Sequence, residues 1–167
     1  MLRIALAFLL LPASAQAQEA GWHYSPLPAE GDRATLGCAL GSSPEVFTCI
    51  AVRCEDDFTV GIYAHTSRPE DHAGEWLVTI DRVNRPFVGE PGPGPYRARL
   101  QDPDGWLLSN LKNGAVAYLH PQEGPPVPLN FIPLSGSLYE INRALAYCAP
   151  RVPDEPNGRP GVTSPDP

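Results

Sequence analysis

Four histidines, a serine pair, two acidic runs and four cysteines carry whatever chemistry this chain could do, and their spacing narrows the options. His23, His65, His72 and His120 are scattered, and no two stand at the spacing of zinc ligands. Glu70, Asp71, His72 and Glu75 could bind a cation or move protons, but they lie in RPEDHAG, where flanking Pro and Gly mark a solvated turn. Glu55, Asp56 and Asp57 could hold calcium, yet the D-x-D-x-D-G spacing of a calcium loop is missing and a polar turn reads better. Ser135 and Ser137 are the serines with local definition, without a G-x-S-x-G nucleophile elbow, and Ser137 suits a helix cap. Trp22, Trp76 and Trp106 could line a groove, although tryptophans in a small β domain more often fill the core or its rim. The sequence therefore nominates no catalytic residue, no cofactor and no metal site.

Cys38, Cys49, Cys54 and Cys148 are better defined. C-x4-C without a nearby histidine is not a zinc-finger spacing, and neither a C-x-x-C redox pair nor a C-x-x-C-H haem site is present. Structural disulfides remain, and they require an oxidising compartment. The N terminus agrees. Arg3, an apolar run over 4–11, Pro12 and the small residues Ala15-Gln16-Ala17 follow the order of a secretory signal peptide, residues 1–17, cleaved after Ala17. The apolar run is far shorter than the roughly 20 residues of a bilayer span, so no membrane anchor is expected after cleavage. Loss of 1–17 removes Arg3 and no acid, taking the net charge from −7 to −8 and disfavouring nucleic acid and anionic membrane as partners. Eleven arginines against the single Lys112, with 21 prolines, suggest a GC-rich bacterium, and hence a periplasmic or secreted protein.

Residues 18–148 have the length of one domain with one core, and 149–167, with six prolines and little to bury, read as a disordered Pro-rich tail. Between these limits the pattern is mainly β, or α+β: an antiparallel meander or sandwich. Strands are expected at 35–40, 47–54, 59–65, 75–82, 86–89, 115–119 and 129–134, from β-branched and aromatic runs bounded by turn residues. Trp76, Val78 and Ile80 alternate with Leu77, Thr79 and Asp81, the period of a half-buried strand, and 81–86 reads as a hairpin turn. GEPGPGPY at 89–96 reads as a surface loop. A short helix is expected near 104–113, stopped by Gly114. A second, at 138–148, would be opened by a capping box of Ser137 and Glu140 and would lay Leu138, Ile141, Leu145 and Cys148 on the sheet.

Geometry ranks the cysteine pairings. Cys49 and Cys54 share one strand and lie roughly 16 Å apart at about 3.3 Å per residue, beyond the roughly 7 Å a disulfide tolerates. Two sets remain, 38–49 with 54–148 or 38–54 with 49–148. Cys54 shares the more apolar strand face with Ile50 and Val52, where the last helix must sit, which favours 54–148. Cys38 would then oppose Cys49 across a hairpin, with Leu40 facing Phe47 and Leu36 facing Ala51. Cys38 also sits on an apolar alternation that the other set could use.

Trp22, AVRCEDDFTVGIY, VTID, GWLLSNLKNGAVAY and the terminal FIPLSGSLYEINRALAYC together resemble exported bacterial proteins of the VasI type, accessory proteins of type VI secretion, with a fainter likeness to the invasion-associated locus B proteins. The resemblance implies a periplasmic β-rich accessory or binding protein in which Cys54 and Cys148 form the shared bridge. Cys38, Cys49 and the long tail depart from that pattern. The expectation is a non-enzymatic periplasmic protein that binds a protein partner through an exposed sheet face or the loop at 89–96. The alternatives are an inhibitor of a basic hydrolase such as lysozyme, suited by the acidic charge, and a small periplasmic enzyme, which would need His65, His72 or His120 beside a carboxylate.

Overall fold

The computed structural model describes residues 20–25, 27, 30–68, 73–92 and 95–149; the signal peptide expected at 1–17 and all but the first residue of the tail expected at 149–167 lie outside them. The fold is mainly β. Nine antiparallel strands form one sheet: β1 (Gly21–Tyr24), β2 (Ala34–Cys38), β3 (Thr48–Cys54), β4 (Val60–Thr66), β5 (Gly74–Ile80), β6 (Val83–Pro91), β7 (Ala98–Leu100), β8 (Val116–Pro121) and β9 (Ile132–Pro133). Helix α1 (Trp106–Asn113) precedes β8, and α2 (Ser137–Leu145) follows β9 and runs into a 3-10 turn at Ala146–Cys148.

The spatial order is β1-β2-β3-β4-β7-β6-β5-β8-β9. The sheet curls until its two ends meet, giving a sandwich-like body. The Leu40 N–H donates to the Phe131 carbonyl at 2.9 Å, and the Trp22 indole N–H donates to the Pro133 carbonyl at 2.9 Å. These links and α2, which packs across β1, β2 and β3, cover edges that would otherwise offer unpaired backbone groups.

Alternation sorts each strand onto two faces. Ile50, Val52, Ile62, Trp76, Val78, Ile80 and Leu119 point inward and meet Leu107 and Leu111 of α1 and Ile141 of α2 in the main core. On β2–β4 the other face is buried as well: Leu36, Cys38, Phe47, Cys49, Ala51, Tyr63 and Tyr96 form a second cluster, flanked by Leu27. Gly37, on β2, lies under the Trp22 ring, and a Cβ there would stand 2.2 Å from Trp22 Cε2. Gly37→Ala is expected to displace the indole from Pro133 and to cost about 1–3 kcal/mol, as overpacking does. Urea denaturation checks this, and an unchanged midpoint would contradict it.

Both disulfides take the favoured pairing, Cys38–Cys49 and Cys54–Cys148. Cys38 faces Cys49 and Leu36 faces Ala51 in the β2–β3 register, as expected. Leu40 does not face Phe47: β2 ends at Cys38, and Leu40 turns away to the Phe131 carbonyl and is exposed.

Several expectations change. The hairpin turn at 81–86 contracts to the two residues Asp81 and Arg82, with φ of 47° and 76°. Asp81 is held there because its carboxylate accepts the Ala115 and Val116 N–H groups at 3.0–3.1 Å, tying the hairpin to the start of β8. Residues 89–96 are not all loop. β6 runs on through Pro91, pairing Gly89, Glu90 and Pro91 with Leu100, Arg99 and Ala98, and Tyr96 is buried. The strand expected at 129–134 shrinks to Ile132–Pro133. The capping box does not form. Gly136, at φ 88°, takes the cap position, Ser137 becomes the first helical residue, and its hydroxyl is buried without a hydrogen-bond partner among the described residues. The buried side of α2 is accordingly Ser137, Ile141 and Ala144, which leaves Leu138 exposed. α1 is opened by Asp102, whose carboxylate accepts the Leu107 and Leu108 N–H groups at 3.0 and 2.9 Å.

Candidate functional site

The densest group of titratable side chains lies on the outer face of β3 and β4, opposite the main core. Arg53 points there because it alternates with Val52 and Cys54 and shares parity with Cys49 and Ala51. Its neighbours across the sheet are Ala34 and Gly61, which leave room for charge. At Gly61 a Cβ would collide with the Glu55 carboxylate and the Tyr63 ring, so the absent side chain is what admits Glu55 to the interior.

Arg53 Nε stands 3.3 Å from Glu30 Oε2 and 3.5 Å from Glu55 Oε2, ion-pair contacts longer than good hydrogen bonds, and all three side chains are buried. The Tyr63 hydroxyl donates to Glu55 Oε1. Beside it, the Tyr96 hydroxyl donates to Ser25 Oγ at 2.6 Å. Rings extend the row: Tyr63 and Tyr96 centroids are 5.3 Å apart, His65 meets Tyr96 edge-on at 5.5 Å, and Phe47 lies 4.8 Å from His65.

Electrostatics limits what this row can do. Burial pushes the Tyr63 phenol well above its ordinary value, reinforced by its hydrogen bond to Glu55 and that carboxylate's charge; burial pushes Tyr96 up as well. Both phenols therefore remain protonated donors at neutral pH rather than bases. The two carboxylates are committed to Arg53, and Glu55 also to Tyr63. The arrangement joins Glu30, Ser25 and, through Tyr96, the approach to β7 to the middle of the sheet, an architectural task.

The residues nominated by sequence are not gathered into one site. His65 is buried in the ring row, His120 is exposed on β8 with a ring nitrogen 3.0 Å from Asn130 Nδ2, and His23 is half-buried on β1. Glu70, Asp71 and His72 lie outside the described residues, and Glu75 is exposed on β5. The acidic run splits: Glu55 is buried, Asp56 pairs with Arg33 at 2.8 Å, and Asp57 accepts the Thr59 hydroxyl and N–H, which hold its carboxyl below the usual range. Ser135 is exposed, two residues from the buried Ser137. Trp76 belongs to the core, Trp22 covers Gly37, and Trp106 stacks on Phe87 at 5.9 Å under the Arg85 guanidinium. Among the described residues no group of His, Cys, Asp or Glu has metal-holding geometry, and no helix is long and apolar enough to cross a membrane. A cavity of about 190 Å³ between β4, β7 and α1 is smaller than the roughly 300–1,000 Å³ of ligand pockets, and its Asp102 is already occupied by α1.

A more open hollow of about 600 Å³ lies over Thr79, Asp81, Arg82, Val116 and Tyr118, but its carboxylate, Asp81, is already engaged by the Ala115 and Val116 N–H groups. The other candidate is surface. Tyr139, Arg143 and Tyr147 follow one another at four-residue steps along the outward side of α2 and the turn after it, with Leu138 beside them. Tyr139 is 66% exposed, and the Arg143 guanidinium lies 3.5 Å from the centre of the Tyr24 ring. Phe58, 69% exposed, tops the β3–β4 turn with φ 65°, next to Thr59, whose carbonyl touches Cys148 Sγ. Tyrosine and arginine are the residue types over-represented at the energetic centres of protein interfaces. Sequence reading missed this surface because it laid Leu138, Ile141, Leu145 and Cys148 on the sheet, whereas Ser137, Ile141 and Ala144 are the residues that α2 buries. It also missed the Glu30–Arg53–Glu55 row, for which Arg53 on an otherwise apolar strand face was the available signal.

No family model matches the chain, and no curated protein or solved structure does either.

Proposed function

We propose that this chain is an exported, non-enzymatic binding or accessory protein of the bacterial cell envelope, acting on a protein partner through the outward side of α2. The carrying observation is the contrast between two groups of residues. The clustered titratable side chains are buried and committed to one another, whereas Tyr139, Leu138 and Arg143 are presented to solvent on a helix fixed to the sheet. A rigid element carrying tyrosine and arginine suits protein recognition, since tyrosine offers large contact area at low entropic cost and arginine is enriched at interface hot spots. The two disulfides and the signal-peptide pattern support an exported protein. The likeness to VasI-type accessory proteins accords with this reading.

The test is a photo-crosslinking residue placed at Tyr139 and, in a second protein, at Val83, an exposed apolar position at the start of β6. Illumination of cells exporting each protein should give a discrete adduct from position 139 and none from 83. Identical patterns from both positions, or no adduct from 139, would remove the proposal.

A further inference from the structure

We infer that Cys148 is a thiol–disulfide exchange site, through which a dithiol oxidoreductase opens and closes the Cys54–Cys148 bridge while Cys38–Cys49 stays shut. The two bridges differ in access. Cys38, Cys49 and Cys54 are wholly buried, and Cys148 alone of the four is partly exposed. Exchange requires a thiolate to reach a sulfur, so Cys148 Sγ is the point of attack and Cys54 the leaving group.

The attacking thiolate bonds to Cys148 Sγ, the bond to Cys54 Sγ breaks, and Cys54 departs as a thiolate that takes up a proton. The second thiol of the oxidoreductase then attacks its own first sulfur and expels Cys148 as a thiolate, which is protonated in turn. The enzyme ends as a disulfide and the bridge as two thiols, a two-electron transfer; the reverse sequence closes the bridge.

The surroundings suit a latch. The turn Ala146–Cys148 buries none of its residues, and the bridge, with the contact of Cys148 Sγ to the Thr59 carbonyl at 3.3 Å, ties Cys148 to the β3–β4 turn. α2 itself buries Ile141 and Ala144, one turn and more before the bridge. Opening therefore releases the anchor at Cys148 while the strand pairing of the sheet is untouched. The bridges are also sequential along the chain rather than interleaved, 38–49 and then 54–148, so the exposed one is the last to close as the chain emerges.

The folded protein is titrated with dithiothreitol, thiols are alkylated, and the modified cysteines are located by peptide mass. The first two alkyl groups should fall on Cys54 and Cys148, with Cys38–Cys49 intact. In parallel, Cys54→Ala leaves Cys148 as a single thiol and Cys148→Ser leaves Cys54. Under native conditions Ellman's reagent should label the former at least about tenfold faster, because the buried thiol reacts only through local opening. Simultaneous reduction of both bridges, earlier loss of Cys38–Cys49, or equal labelling in two variants of native circular dichroism would overturn the inference. Should Cys148→Ser fail to fold, the wild-type titration decides alone.

Discussion

Replacing Cys54 and Cys148 together by alanine lowers stability by about 4.7 kcal/mol in the chain-entropy model, against about 2.8 kcal/mol for the Cys38 and Cys49 pair. The difference follows from the loops they close, with sequence separations of 94 and 11 residues. Alanine is the suitable replacement at the buried positions, since serine would add an unpaired hydroxyl where Cys38, Cys49 and Cys54 have no solvent contact. A gap of about 2 kcal/mol corresponds to roughly 4–8 °C in Tm for a domain of this size. Urea titrations of the two variants at neutral pH measure it. Equal losses, or a larger loss for the short loop, would show that the long bridge does not hold the C-terminal helix to the sheet as described.

The second large effect is expected at Arg53. Arg53→Leu leaves the buried carboxylates of Glu30 and Glu55 facing one another with no cation between them, and breaking a buried pair from one side costs about 3–5 kcal/mol. Neutralising the whole row, Arg53→Met with Glu30→Gln and Glu55→Gln, should recover most of that loss, because the desolvation penalty of three charges disappears with them. Glutamine at 55 still offers an acceptor to the Tyr63 hydroxyl. A single Arg53→Leu costing under about 1 kcal/mol would mean that the row is wetter and weaker than its burial indicates.

Much of this architecture was legible in the residues. The alternation of Trp76, Val78 and Ile80 gave β5, and the face shared by Ile50, Val52 and Cys54 placed Cys148. What escaped did so for identifiable reasons. β1 is four half-buried residues, GWHY, and β7 is three residues, ARL, each too short for a period to register. β6 continues through Gly89 and Glu90 to Pro91, against the turn signal those residues carry, because β7 supplies partners. At α2, Gly136 adopts a positive φ at little steric cost and takes the cap position, and the helix buries the small residues Ser137 and Ala144 beside Ile141, leaving Leu138 exposed. The charged row was hidden for another reason. Glu30, Arg53 and Glu55 look like surface residues until Leu27 and Glu30 pack over a face of β2–β4 that a half-solvated sheet would have left open.

On this reading the buried charged row is architecture and the outward side of α2 is the working surface. One experiment separates the two: photo-crosslinking from position 139 in the protein carrying Arg53→Met, Glu30→Gln and Glu55→Gln, with circular dichroism confirming the native fold. The expected result is the same discrete adduct, in the same yield, as with the wild-type row. Loss of that adduct from a natively folded protein would contradict it, and would make Glu30, Arg53 and Glu55 part of the site.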